Sequence, residues 1–308
     1  MRDQYKIAIY NIMKSNPLVI AVLADSAGSE YDLIRSEMPE RIIECGIAEA
    51  NAIGVAAGVA SCGYIPLVYG LGAFLAYRAF EFIRDDVCIQ NRNVKIVGLG
   101  SGVAYNNVGP THHTTEDIAV MTALPNMSVV SPATPLEVEP VLRMAIDHRG
   151  PVYIRMGKAF EEEIYKKTPR LYWNKANVIQ EGSDITIIST GAVLPDVVRS
   201  ARCLERENIS VQIISVNTLK PLDRECIIEA ARKTRKVLTV EEHNYYGGLR
   251  SLIADILVES GLSVTFSHVS FNDEFCLEYG YRKVIRGKYG ISEEGIIEKA
   301  QEILRINN

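Results

Sequence analysis

Length, composition and charge are those of an ordinary globular protein with two domains. The chain has 308 residues, of which 47% are hydrophobic and 23% charged. At roughly 100 to 200 residues per domain, each half is long enough to bury its own core. Its 33 Lys and Arg residues are scattered and outnumbered by 38 Asp and Glu residues, which argues against a nucleic-acid or membrane-surface partner.

The first half of the chain predicts a parallel sheet flanked by helices. Short apolar runs alternate with longer helical patterns, as buried parallel strands and their crossover helices do. The runs cover residues 18–24, 41–45, 65–69, 94–99, 127–131 and 152–155. The tetrapeptide Thr-Pro-Leu-Glu at 134–137 is a capping box, with proline at the first helical position, and predicts a helix over about 135–148.

The second half repeats this pattern after a charged, aromatic-containing break. Strands are predicted near 184–189, 209–215, 236–240 and 263–269, with helices near 193–207, 223–233 and 249–260. The fold class is therefore α/β, with domains over 1–165 and 182–308 joined by a linker over 166–181. Ligands of such sheets bind at the carboxyl ends of the strands, so the loops there are the candidate sites.

The cysteines and the N-terminus indicate the compartment. Six cysteines, at positions 45, 62, 88, 203, 226 and 276, show no Cys-x-x-Cys spacing and lie mostly in apolar runs, as free structural thiols do. The first residues lack a signal-like apolar segment, and no apolar run approaches the roughly 20 residues of a membrane span. We expect a cytoplasmic protein.

The most informative segment surrounds Glu49. Nine of the fifteen residues from 46 to 60 are Ala or Gly, so a helix there must pack closely on several sides. Glu49 is its only carboxylate, and burial would let such a group hold or exchange a proton near neutrality. The alternative is a glutamate that only stabilises the helix start through the dipole.

Two further segments follow predicted strands. Leu71, Phe74 and Tyr77 recur at i, i+3 and i+6 and predict an aromatic shelf, although ordinary core packing gives the same pattern. The glycines at 98–102 do not spell a dinucleotide-binding motif. His112 and His113 are adjacent and would point apart in extended chain, so we expect one of them to face a pocket and no joint metal ligation.

Five motifs in register resemble the C-terminal half of transketolases. They are Arg-Ile-Ile-Glu-Cys-Gly-Ile-Ala-Glu at 41–49, Gly-Pro-Thr-His at 109–112, Ser-Pro-Ala at 131–133, Lys-Pro-Leu-Asp at 220–223, and Glu-Glu-His at 241–243 with Gly-Gly at 247–248. The resemblance extends over nearly the whole chain. It implies a pyrimidine-binding domain, a C-terminal transketolase domain and thiamine diphosphate as cofactor.

The resemblance also implies roles for single residues. Glu49 matches the glutamate that bonds the pyrimidine N1′ of the cofactor and favours its imino form, and His112 matches a histidine that contacts substrate near the reacting carbonyl. The other cofactor-side matches are Asp25, Leu71, Phe74, which would stack on the pyrimidine, and Tyr77.

Substrate anchoring is implied at three positions and altered at two. Arg2, Ser29 and Arg155 match positions that hold the substrate phosphate, although surface or interdomain ion pairs are the alternative for each. Gly100 stands where transketolases carry a substrate-contacting histidine, and Val108 stands where they carry an aspartate that reads a sugar hydroxyl. Neither can make those polar contacts, so we expect a changed donor or acceptor sugar.

The chain lacks Gly-Asp-Gly, the motif with which the family holds the diphosphate through a divalent metal. We therefore assign no metal ligand to this chain. A separate N-terminal transketolase-like subunit is expected to supply the diphosphate site and its Mg²⁺ or Ca²⁺, in an α2β2 assembly.

The predicted function is transfer of a two-carbon ketol unit between sugars, phosphorylated or otherwise modified, by a split transketolase-like enzyme. The nearest alternative is the β subunit of a 2-oxoacid dehydrogenase decarboxylating component. A deoxyxylulose-phosphate synthase fragment is a third enzyme, which also keeps the aspartate that Val108 replaces. A non-catalytic regulatory paralogue is the alternative of another class.

Overall fold

The computed structural model describes residues 1–24 and 29–306, which form two mostly parallel sheets flanked by helices. The α/β fold predicted from the sequence is thus confirmed. The strands are β1 Val19–Leu23, β2 Ile42–Glu44, β3 Ile65–Leu71, β4 Lys95–Leu99, β5 Ser128–Val130, β6 Val152–Met156, β7 Asn177–Gln180, β8 Ile185–Ser189, β9 Val211–Ser215, β10 Thr218–Lys220, β11 Lys236–Asn244 and β12 Thr265–Phe271.

Helices connect most of these strands. They are α1 Arg2–Ser15, α2 Asp32–Glu37, α3 Glu49–Ser61, α4 Phe80–Phe82, α5 Asp117–Ala123, α6 Val138–Asp147, α7 Leu194–Arg206, α8 Arg224–Thr234, α9 Leu249–Ser260, α10 Arg282–Lys288 and α11 Glu293–Arg305. Two π-helical segments, Phe74–Arg78 and Ile83–Ile89, flank α4. Short 3₁₀ turns occur at Pro39–Arg41, Pro110–His112, Pro135–Glu137 and Gly191–Val193.

The first sheet has seven strands in the order β10-β5-β6-β4-β3-β1-β2, and all neighbours are parallel except β10 and β5. Successive residues of β1 enter different cores: Val22 packs on the side of α3, while Ala21 and Leu23 pack on the side of α1 and α6. Because side chains alternate across a strand, a sheet covered on both faces needs such continuous apolar runs. Because β2, β3 and β4 run parallel, their carboxyl ends and the loops that follow them lie along the same side of this sheet.

The second sheet has five strands in the order β12-β11-β8-β9-β7. Its edge strand β7 pairs antiparallel with β9 and lies inside residues 166–181, so the predicted linker contains a strand of the second sheet. In the other direction, β10 leaves the second half and pairs with β5 of the first sheet. Lys220 on β10 donates to the carbonyls of Thr122 at 2.7 Å and Leu124 at 2.6 Å.

Buried ion pairs join the two halves. Glu242 on β11 accepts a hydrogen bond from the backbone N–H of Val103 at 3.1 Å and from Arg282 Nε at 3.0 Å. Arg282 also reaches Glu161 at 3.3 Å, and Glu161 in turn pairs with the N-terminal amine at 3.0 Å. Within the Glu-Glu-His motif at 241–243, Glu242 therefore makes an interdomain contact, whereas Glu241 accepts hydrogen bonds from the backbone N–H groups of Leu249 and Arg250 at the start of α9.

All six cysteines are free thiols, as predicted. Within residues 1–24 and 29–306, no helix has the length and apolarity needed to cross a membrane. In the same ranges, no three His, Cys, Asp or Glu side chains are grouped so that they could hold a metal ion.

A buried lysine makes the stability of the first domain depend on pH. Lys95 at the start of β4 is 0% exposed, and its ammonium donates to the carbonyls of His148 at 2.6 Å and Gly150 at 2.7 Å. Burial lowers the pKa of Lys95 from 10.5 to about 7. Between these values the unfolded chain holds a proton that the folded chain lacks, so stability rises with pH.

We predict that Lys95→Met reduces the rise in unfolding free energy between pH 7 and pH 9 by up to about 1.4 kcal/mol per pH unit. Urea unfolding at several pH values measures this slope. The exposed Lys167 provides the matched control, Lys167→Met, which should keep the wild-type slope. Equal slopes in wild type and Lys95→Met would contradict the prediction.

Candidate active site

The candidate site lies at the carboxyl edge of the first sheet. Strands β3 and β4 are neighbours there, so Phe74, three residues after β3, meets His112 in the loop after β4. Their ring centroids are 5.0 Å apart in an edge-to-face arrangement. Parallel strands end at a common edge, and this topology brings the two residues together across 38 positions of sequence.

Glu49 is the first residue of α3 and is 1% exposed. Its carboxylate accepts a hydrogen bond from Arg78 Nη1 at 2.8 Å. The guanidinium carbon of Arg78 lies 4.6 Å from the centroid of the Phe74 ring. Glu49 and Phe74, both predicted from the sequence, are thus joined through a cation that sequence analysis missed. Arg78 follows Phe74 by four residues and therefore lies on the same helical face, and this spacing is the sequence signal that could have identified it.

His112 is half-buried and faces aromatic side chains. Besides Phe74, it lies 6.0 Å from the ring of Tyr105, and its Nδ1 is 3.0 Å from the hydroxyl of Thr111. His113 is buried and borders a separate cavity of about 340 Å³. Burial lowers the pKa of His113. The two histidines thus have different neighbours, although His112 ends a 3₁₀ turn and the chain is not extended there as the sequence analysis assumed.

The remaining cofactor-side residues are not all gathered at Glu49. Leu71 ends β3 and is half-buried near Phe74. Tyr77 points to the same 340 Å³ cavity as His113, and its hydroxyl donates to Glu116 at 2.8 Å. Asp25 lies outside the described residues, so its predicted role stays a prediction.

Arg155 forms a buried ion pair in this structure. It is 1% exposed, and its Nε lies 2.9 Å from both carboxylate oxygens of the buried Asp117. Its Nη2 donates to the carbonyls of Thr114 at 3.1 Å and Glu242 at 2.9 Å. The Nε and Nη2 donors of Arg155 are thus taken up by acceptors of the protein itself. These contacts match the ion-pair alternative that the sequence analysis gave for Arg155.

Arg2 lies beside a different cation, Lys158. Arg2 pairs with the buried Glu30, the neighbour of the exposed Ser29, and the backbone N–H of Arg2 donates to the carbonyl of Lys158 at 3.1 Å. Burial and the charge of Arg2 lower the pKa of Lys158. Its ammonium lies 4.1 Å from the Tyr105 ring centroid and borders an interdomain cavity of about 720 Å³.

Tyr105 explains one departure from the transketolase pattern. Gly100 has φ +91°, and a Cβ there would collide with the Tyr105 ring. Tyr105 therefore fills the space beside Gly100 and lies between His112 and Lys158, so a histidine at 100 would not fit without moving this ring. Val108 is 40% exposed and leaves its position open to solvent.

Comparison with known proteins places both halves of the chain. Residues 1–160 match the family described as transketolase, pyrimidine binding domain, and residues 174–296 match transketolase, C-terminal domain. The chain is 31% identical to a subunit of the apulose-4-phosphate transketolase of Phocaeicola vulgatus, and the match covers 99% of this chain and 97% of that one.

Two further matches cover nearly all of both chains. The 6-deoxy-6-sulfo-D-fructose transketolase subunit SqwH of a Clostridium species is 32% identical, covering 100% of this chain and 95% of its own. A solved structure described as a split-gene transketolase, inactive β4 tetramer, is 34% identical with a TM-score of 0.90, covering 100% of this chain and 98% of that one.

We predict that Arg155→Met lowers the unfolding free energy of the chain by about 3 to 5 kcal/mol, because it leaves Asp117 buried without its partner. Urea unfolding measures the loss. Arg143→Met, which removes an exposed pair with Glu139 within α6, should cost at most about 0.5 kcal/mol. If Arg155→Met keeps wild-type stability but raises the KM for a phosphorylated sugar, the prediction is contradicted and Arg155 is a substrate-binding residue.

Proposed function

The chain belongs to the transketolase family, and from that premise we propose that it is the C-terminal subunit of a split, thiamine-diphosphate-dependent transketolase. This enzyme transfers a two-carbon ketol unit between sugars that carry a phosphate or another modification. One observation carries the proposal: a buried carboxylate, Glu49, is linked through Arg78 to the face of Phe74, and the Phe74 ring meets the ring of His112 edge to face.

The residues at this edge fit the pyrimidine half of the cofactor. The buried carboxylate offers an acceptor for a protonated ring nitrogen, and the half-buried Phe74 offers a flat face for stacking. Glu49 would bond the ring nitrogen, Phe74 would fix the orientation of the ring, and Leu71 would border it. When bound, thiamine diphosphate supplies a carbon nucleophile that cleaves and forms bonds next to a carbonyl. His112 would face the sugar oxygens.

An anionic end of the sugar is proposed to bind at Arg2, Ser29 and Lys158. The two cations lie together, and Lys158 is connected to His112 through the Tyr105 ring. Cationic side chains and a hydroxyl suit a phosphate or a sulfonate. The names of the two relatives, an apulose-4-phosphate and a 6-deoxy-6-sulfofructose transketolase, support an acidic sugar with an unusual skeleton.

The diphosphate and its Mg²⁺ or Ca²⁺ are proposed to bind an N-terminal subunit, in an α2β2 assembly. The absence of Gly-Asp-Gly from the sequence supports this division. The solved relative, described as an inactive β4 tetramer, is consistent with a subunit that works only with its partner. The six free thiols support a reducing compartment, and we propose the cytoplasm.

Helix α3 supplies the proposed interface. A Cβ added at Gly54 or at Gly58 would meet no atom within 4 Å, so the chain itself does not need glycine at either position. Glycine in a helix interior costs about 1 kcal/mol relative to alanine. A close-packed partner helix gives these glycines a function, because small residues let two backbones approach closely.

Glu49→Gln tests the function directly. With the N-terminal subunit, thiamine diphosphate and MgCl₂, ketol transfer should fall by about 100-fold or more, because an amide cannot exchange the ring proton. Analytical ultracentrifugation should show an intact assembly. The exposed Glu44, which pairs with Arg35, provides the control Glu44→Gln, with wild-type rates. Near-wild-type turnover of Glu49→Gln, or activity of the chain alone, would contradict the proposal.

Gly58 tests the interface. Gly58→Ala should stabilise the chain alone by about 0.5 to 1 kcal/mol, whereas Gly58→Leu should leave its folding intact and weaken association with the N-terminal subunit. Thermal unfolding measures the first effect and sedimentation the second. Association of Gly58→Leu with wild-type affinity would place the interface elsewhere.

A further inference from the structure

Arg78 touches both groups that are proposed to hold the pyrimidine ring. Its Nη1 donates to Glu49 Oε2 at 2.8 Å, and its guanidinium carbon lies 4.6 Å from the centre of the Phe74 ring. The Arg78 side chain is 53% exposed, while that of Glu49 is 1% exposed. A half-exposed cation thus binds a buried carboxylate and packs against the face of an aromatic ring.

These contacts are the ones that an aminopyrimidine needs. A guanidinium is planar, carries N–H donors in its plane and stacks on aromatic rings. A ring that stacks on the same face of Phe74 and donates to the same carboxylate presents the same shape and the same donor. The cation and the ring therefore cannot hold both contacts at once.

The charge of Glu49 explains why a cation lies there. A buried carboxylate without a partner is strongly destabilising. Among residues 1–24 and 29–306, Arg78 is the one hydrogen-bond and ion-pair partner of Glu49. In a chain without cofactor, Arg78 therefore stabilises the site that the cofactor would later occupy.

We propose that Arg78 is a displaceable placeholder in the pyrimidine pocket. In the free subunit it pairs with Glu49 and covers Phe74, and it swings toward solvent when the cofactor ring enters. This inference rests on the proposed function. The half-exposed position of the side chain gives it room to leave, and Arg78 ends the same π-helical segment that begins at Phe74, so its guanidinium lies at the surface beside that ring. The placeholder stabilises the free subunit and slows cofactor entry.

The test is Arg78→Gln in the complex with the N-terminal subunit, with thiamine diphosphate and MgCl₂ as the probe. We expect the association rate constant to rise and the dissociation constant to fall, each by up to about tenfold, because a competing charge-assisted hydrogen bond is lost. Stopped-flow and calorimetric titrations measure the two constants. Arg78→Lys keeps the charge but not the planar group, and should lie between Gln and wild type.

Arg84 provides the matched control. It follows Arg78 by six residues and pairs at the surface with Asp85, so Arg84→Gln should bind the cofactor as wild type does. If wild type itself binds no thiamine diphosphate in the complex, the proposed function fails. If wild type binds it and Arg78→Gln binds it no faster and no tighter, the proposed function stands and the placeholder is wrong.

A second readout uses the chain alone. In thermal unfolding, Arg78→Gln should destabilise the chain by leaving Glu49 unpaired, and Glu49→Gln should remove most of that effect in the double variant. Additive effects of the two substitutions would show that the ion pair does not stabilise the free subunit, and would overturn the proposal.

Discussion

One buried guanidinium holds together the elements that surround the candidate site. Arg155, on the interior strand β6, binds Asp117 at the start of α5, the carbonyl of Thr114 and the carbonyl of Glu242 in the second domain. The loop that carries His112 runs directly into Thr114. Because a buried ion pair tolerates little change in geometry, the position of His112 depends on the contacts that Arg155 makes. The same contacts of Arg155 therefore fix both the packing of the two domains and the geometry of the candidate site.

A second constraint comes from the side chains that α3 lacks. Helices with small residues bury their first turn easily, and Glu49 stands in that turn with 1% of its surface exposed. The same absence leaves the face at Gly54 and Gly58 open in the free chain. The Ala and Gly content of α3 thus allows the carboxylate to be buried and also leaves a surface suited to a close-packed partner. The chemistry of the site and the assembly of the enzyme therefore depend on the same helix.

The fold was predictable to a large extent because buried parallel strands have a strong sequence signal. Helix α9 was predicted at its observed bounds, and α7 and α8 within one residue of theirs. The pairing of β10 with β5 was not predictable, since a three-residue strand at an edge has little periodicity of its own. The strand β7 was missed for a related reason: it lies at an antiparallel edge, half-exposed and in a charged stretch.

The residues of the candidate site that are placed by the backbone topology were predictable. The residues whose contacts depend on neighbouring charges were less predictable. Glu49, Phe74 and His112 follow the parallel strands β2, β3 and β4, so topology brings them to the same side of the sheet. Arg155 was assigned from its position in the chain, yet its environment is set by Asp117, which is 38 residues away. Lys158, three residues further on and beyond the end of β6, has the exposure that an anion needs. Position within a motif identifies a residue, but only the surrounding charges identify the group that its side chain can bind.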